Sequence, residues 1–468
     1  MISVLKSRVN PENIKAFCNG NIYPAIFCAI VLIGSVSGFE YYLNLLLTPL
    51  ILIALLFSDS VKPLIAVFSC YAYQVSLENS FVKITDQGIH ASDFYFTSWR
   101  LPVSIIIVLL LLFGVVFFIV KNRIYKRISF KDTPLLVPIL AFCVALLLNG
   151  TFSDSWSPRG LLLGAVHALV FSFVFLLFYH GFREGESSEE LMRYIAYVSM
   201  LVAFVILGEL CDLYLTSDEI FRDGEIVKDR VYLGWGIWNL VGVAISMLIP
   251  AIFYGAMNNK YPYLYFFVAT LALFGAVLTL SRNALIFASL SYAACALIGC
   301  FKGKNQRGFR IITGAGIVIV LLGFAVLFDK IKTLLSDFFE RGFDNNGRFD
   351  LWRQGIDNFL SAPIFGSGFY GYGDYALAHG PLPKMAHNTL IELLSATGAV
   401  GFLSYLYYRV KSFIPVFRRP TLVKTMAALS ILVILLSSLL DNFVFNVYPM
   451  FYYSILLALI HRAGGEQT

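Results

Sequence analysis

The chain has 468 residues, 58% of them hydrophobic and 14% charged, against roughly 25% charged in an ordinary soluble domain, so a soluble protein is excluded. Its formal charge of +6 does not point to nucleic acid, because a membrane protein gathers Lys and Arg in cytoplasmic loops for topological reasons. The cysteines Cys18, Cys28, Cys70, Cys143, Cys211, Cys295 and Cys300 show no C-x-x-C or Cys/His spacing, which leaves neither a disulfide framework nor a zinc site.

A hydrocarbon core about 30 Å thick takes about 20 apolar residues per helical crossing, and such runs recur along the whole chain. The first of them lacks a small-residue cleavage site and is expected to remain as a helix. The period-two alternation of a membrane barrel is missing, so backbone hydrogen bonds must close inside helices. The expected fold is therefore all-α, a polytopic membrane protein. Fourteen crossings are predicted, near residues 21–37, 41–57, 62–78, 101–120, 134–149, 159–179, 191–211, 236–255, 262–280, 283–300, 310–328, 388–408, 424–440 and 446–461. Twelve follow instead if one early pair is re-entrant. The chain divides accordingly into crossings over 1–328, a long outer loop over 329–387, and the last crossings over 388–468.

With the N-terminus inside, the basic stretches Lys121 to Lys131, Lys302 to Arg310 and Arg409 to Lys424 all fall on the cytoplasmic side, as the positive-inside rule requires. Both termini are then cytoplasmic. After an early loop from Asn79 to Trp99, two outer connections hold much sequence: Asp212 to Gly234, and Asp329 to Ala386. The second is too long to be a mere link. In it, Ile331, Leu334, Leu335 and Phe338, and then Phe349, Trp352, Ile356 and Phe359, recur at helical spacing, predicting two amphipathic helices on the outer membrane surface. A turn at Asp344 to Gly347 separates them, and Gly366, Gly368, Gly371 and Gly373 mark an irregular segment.

Function is expected where polar residues stand against topology. Arg282 lies alone at the tight tip Thr279-Leu280-Ser281-Arg282-Asn283 between two apolar helices, where an anion is its natural partner. Arg230 precedes a helix in the other outer connection, and Arg341, Arg348 and Arg353 flank the turn of the long loop. The plainer account gives these cations to lipid phosphates or to carboxylates such as Asp344 and Asp350. Among the histidines, His90, His379 and His387 fall outside. His387 stands where the long loop enters a helix, and its imidazole can take a proton near neutral pH. Alone, it would read as a helix cap. Its context is H-N-x9-G-x-x-G, running from His387-Asn388 to Gly398 and Gly401. Those glycines are expected to admit another helix closely, and Glu392 to pair with an outer arginine.

These pieces resemble the bacterial O-antigen ligase and polymerase superfamily. The matching residues are Ser281-Arg282 at a helix-pair tip, Gly347-Arg348 with Leu351-Trp352, Pro363-Ile364-Phe365-Gly366-Ser367-Gly368, and the His387 motif. Together they cover about residues 275–410. The resemblance implies a GT-C-type glycosyltransferase of the bacterial inner membrane, needing no metal or other cofactor and taking a glycan from undecaprenyl diphosphate on the outer side. The acceptor is the lipid A core in ligases, the next lipid-linked repeat unit in polymerases, and a protein hydroxyl in protein glycosylases.

A glycosyl diphosphate already carries a good leaving group, so the enzyme needs cations, a base and geometry. Arg282 and Arg230 are assigned to the diphosphate, Arg348 or Arg353 to glycan or phosphate, His387 to the base, and Asn388 and Glu392 to its support. One-step attack would invert the anomeric centre, and no carboxylate pair suggests double displacement. A rival is a lipid-linked glycan transporter, which would show repeats and polar groups at mid-membrane. Here His167 and Asn239 read as isolated. Fourteen crossings lean towards a polymerase, whereas the H-N-x9-G-x-x-G spacing leans towards a ligase. The sequence reading adopts the polymerase.

Overall fold

The computed structural model describes residues 10–37, 39–71, 82–85, 88–91, 100–217, 221–222, 225–226, 231–233, 236–326, 348–369, 371 and 386–465. Helices dominate. Among the described residues six are long and apolar enough to cross a membrane: Arg100–Lys121, Pro158–Gly181, Ser188–Thr216, Trp238–Asn258, Arg282–Phe301 and Thr389–Arg418. A seventh span arises if Pro11–Asn19 and Ile22–Ser37, bent by 66°, count together. The apolar helices Leu136–Leu147, Pro262–Leu278 and Leu422–Ser437 are shorter. Leu136–Leu147 shows why apolar runs overstate helix length: its 12 residues rise only about 18 Å, and the rest of the run turns at Asn149 and Gly150. The expected crossing at 62–78 departs furthest. It opens as Leu64–Ala66 running into a π-turn at Val67–Tyr71, and the remainder lies outside the described residues.

The helices form one hydrophobic cluster with a clear centre and edge. In Trp238–Asn258, 94% of the apolar window is buried; in Arg100–Lys121, 11%. The first is therefore a central element, packed on Ser188–Thr216, Pro262–Leu278, Arg282–Phe301 and Leu422–Ser437, and the second faces lipid. Small antiparallel hairpins, 82–85 with 88–91, 221–222 with 225–226 and 232–233 with 236–237, qualify the all-helical expectation in two connections between helices.

Two expectations need correction. The basic stretch from Arg409 is no loop at its start, because the helix runs to Arg418. Arg409 is buried in it, with Tyr405, Tyr408 and Tyr453 ring centroids 4.4, 5.3 and 4.5 Å from the guanidinium; cation–π attraction offsets part of the desolvation. Nor do Gly398 and Gly401 admit a helix. Gly398 interrupts the helix at φ +63°, and a Cβ there would collide with the Ile364 carbonyl. The segment 363–368 enters this break: Ser367 and Gly368 N–H donate to the Ser395 and Ala396 carbonyls at 2.9 and 3.0 Å, while Ala399 and Val400 N–H donate to Pro363 and Ile364 at 2.8 and 3.2 Å. Gly401 packs on Thr397 of its own helix.

The second expected amphipathic helix is present as Arg348–Ser361, with Leu351, Gly355 and Asn358 buried against Thr389–Arg418. Phe349 and Ile356, expected on its apolar face, point away from the protein and are 59% and 45% exposed. The first amphipathic helix, the 344–347 turn and Gly373 lie outside the described residues, whereas Gly366 and Gly368, at φ +71° and +88°, fit the expected irregularity.

Candidate functional site

The helix Thr389–Arg418 starts from Asn388, whose side-chain oxygen accepts from Leu390 and Ile391 N–H at 2.9 and 3.3 Å, satisfying donors that a helix start leaves open. Its Nδ2 donates to Leu439 O at 2.9 Å, and Thr389 N–H donates to Ser438 O at 2.9 Å. The helix start is thus fastened to the turn that follows Leu422–Ser437. His387, just before the cap, adopts φ +49°, a left-handed conformation costing a branched-backbone residue on the order of 1–2 kcal/mol. The surrounding bonds hold that strain in place, as they do at many functional sites.

Across the turn, Asp441 Oδ1 lies 3.2 Å from His387 Nδ1. The same oxygen accepts from Asn442 N–H at 2.9 Å, and Oδ2 accepts from Asn239 Nδ2 at 3.2 Å. Burial works against ionisation of this carboxyl, but the bonds and charge of His387, then Asn442 and Asn239, outweigh it and hold Asp441 below the usual carboxylate range. A carboxylate only accepts, so Nδ1 carries the proton of this pair. The His387 side chain is 36% exposed and Asp441 14%, which leaves the ring reachable and its carboxylate shielded.

Asn239, in the first turn of the central helix, accepts at Oδ1 from the Ser281 hydroxyl at 2.8 Å. Ser281 caps the helix Arg282–Phe301 by accepting from Ala284 N–H at 3.3 Å. Close approach here depends on Gly242, where a Cβ would meet Ala284 and would stand 2.9 Å from Thr279 Oγ1. Leu280, at φ +55°, makes the tight tip. An unbroken chain of hydrogen bonds therefore runs from the Ser281-Arg282 tip through Asn239 and Asp441 to His387. Arg282 opens its helix and is exposed.

The remaining expected residues divide. Glu392 is buried and its Oε2 accepts from Ala386 N–H at 3.2 Å and from Asn442 Nδ2 at 3.5 Å, so it braces the His387 loop where an arginine partner was expected. Arg348 and Arg353 stand on the 348–361 helix, partly buried and exposed respectively, and are not members of the hydrogen-bonded chain. Arg230, Arg341 and His379 lie outside the described residues, as does the side chain of His90. His167 is not isolated: its ring nitrogens lie 2.7 and 3.1 Å from the Leu163 and Phe445 carbonyls, one of which takes the ring N–H. No group of three or more His, Cys, Asp or Glu suited to a metal occurs among the described residues.

Asp441 was missed, and Asn239, read as isolated, instead bonds Asp441 and Ser281. Asp441 carries the same signal that singled out Arg282, a lone charge at a short tip between apolar helices; Asn239 carries none beyond standing at a helix start.

The end opposite this site is fixed by the helix Val447–Gly465. It leaves the 441–446 turn, and after about 22 Å of rise Arg462 donates to the Arg183 and Glu186 carbonyls at 2.8 and 3.2 Å. Lys15, Asp59, Arg127 and Arg183 gather at that far end.

Residues 267–406 match the family model described as O-antigen ligase, so this stretch, under a third of the chain, is similar to that family. The match takes in Ser281, Arg282, Arg348, Arg353 and His387, begins after Asn239 and ends before Asp441. No curated protein matches the chain.

Proposed function

We propose that the protein is a GT-C-type inverting glycosyltransferase of the bacterial inner membrane. It transfers a glycan from undecaprenyl diphosphate to a sugar hydroxyl of the next lipid-linked repeat unit, on the outer face. The observation that carries this reading is the His387–Asp441 pair, joined by hydrogen bonds to the Ser281-Arg282 tip. One end of the chain offers a base and the other an anion site.

In the reaction, His387 Nε2 takes the proton of the acceptor hydroxyl as its oxygen bonds to the anomeric carbon. The bond from that carbon to the diphosphate oxygen breaks on the opposite side, which inverts the centre. Undecaprenyl diphosphate leaves with its charge on Arg282 and the N–H groups of the helix it opens, with Arg230 as a second cation. Arg348 or Arg353 holds glycan or phosphate. Asp441 keeps the His387 proton on Nδ1 and stabilises the imidazolium that forms, while Asn388 and Glu392 fix the loop. Only the chain's own side chains are used. The basic cluster at the far end supports placing His387 on the outer face.

A second reading, transfer to the lipid A core, is favoured by the description of the matched family. Purified protein with a synthetic undecaprenyl diphosphate glycan separates the two. A ladder of products without added core supports the polymerase, and a single addition that requires lipid A core supports the ligase. Donor translocation without transfer to either acceptor would make the protein a transporter.

A further inference from the structure

We propose that Asn239 is a positioning residue for His387, set in turn by Ser281, so that the arginine-bearing tip and the base work as one unit. This rests on the reading of His387 as the base.

The orientation follows from donor and acceptor inventory. The Asp441 carboxylate accepts only, so the Asn239 amide must turn its NH2 towards it, at 3.2 Å. The amide oxygen then faces Ser281, 2.8 Å away. With the amide oxygen facing it, the Ser281 hydroxyl donates to Asn239 while accepting from Ala284 N–H. The carboxylate therefore fixes the amide, because reversing it would set the amide oxygen against Asp441 and lose that bond. Asp441 Oδ2 is held by Asn239, leaving Oδ1 for His387 and Asn442. Among the described residues, the charged and titratable groups around the ring are Asp441 from the turn and Glu392 from the helix His387 precedes, with Arg282 beyond Asn239. A donor diphosphate drawing on the Arg282 helix start pulls on Ser281, and through it on the carboxylate that orients the base. Asn239 lies outside the family match and 202 residues from Asp441 in sequence.

The test is ring ¹⁵N NMR of histidine-labelled protein, with His387→Ala identifying the His387 signal, alongside glycan transfer and donor binding. Wild type should show one tautomer, protonated at Nδ1. Asn239→Leu should mix the tautomers, move the acid limb of the pH–rate profile, and lower turnover about 10-fold to 10²-fold at unchanged donor affinity. Asn239→Gln, which keeps both amide groups, should restore part of the loss. An unchanged tautomer and titration in Asn239→Leu overturns the proposal, whatever happens to turnover. If Asn239→Leu does not fold, the same spectra of Ser281→Ala decide. A changed tautomer together with full turnover in His387→Ala would leave the coupling standing and remove the base assignment.

Discussion

At the far end of the helix layer Asp59 meets Lys15 at 2.8 Å and Arg183 at 3.7 Å, and Arg127 meets Glu184, which is 87% exposed, at 3.5 Å. At the His387 end the carboxylate of Asp441 is 14% exposed and takes bonds from His387, Asn239 and Asn442. The far-end charges are many, solvated and exchangeable, which suits setting topology by their number. The charges near His387 are few, shielded and fixed in one orientation, which suits acting on a substrate. Placement in a network, more than amount of charge, distinguishes the two ends.

The comparison breaks most visibly if His387→Ala keeps its activity. Loss of about 10²-fold to 10⁴-fold in turnover, with donor affinity nearly intact, is expected from transfer assays paired with binding. Arg282→Ala should lower both turnover and donor affinity, and Arg282→Lys should restore only part, because an ammonium lacks the planar fork. At Gly398 the expected effect is on folding. Gly398→Ala must hold φ +63° and clear the Ile364 carbonyl, so a loss of about 1–3 kcal/mol should show in thermal unfolding.

A pH series sharpens the contrast. The folded value of Asp441 lies below its unfolded value of about 3.9, so its contribution to stability is complete above that pH and disappears as pH falls through the folded value. Asp441→Asn should remove this acid-side slope in an unfolding titration. The smallest effect belongs to the far end. Breaking the exposed pair with Glu184→Gln should leave both unfolding and transfer within error, since such surface pairs contribute about 0–1 kcal/mol.

Much of this was legible in the sequence because each signal was local. Apolar runs mark the helices, and Arg282 and His387 stand out by position along the chain. Contacts between tips were not legible. Asn239 and Asp441 belong to helix ends 202 residues apart, and periodicity informs only on the element that contains it. Gly398 was legible as a residue that permits close approach, but not the identity of what approaches. Arg409 was misread because a basic stretch resembles a loop when the aromatic side chains that receive one of its members come from Tyr405, Tyr408 and the distant Tyr453.

The break at Gly398 bears on how the chain is made. In an uninterrupted helix Ala399 and Val400 would bond Ser395 and Ala396; here each of those groups bonds the 363–368 segment instead. Without that segment the two amides and two carbonyls would close on one another as a continuous helix, so it is the seated segment that sets the break. The start of this helix and the segment before it therefore take their final form together. A chain cut within the loop would deliver a span whose active end cannot set by itself, and reassembly of the two fragments would be required before His387 is shaped.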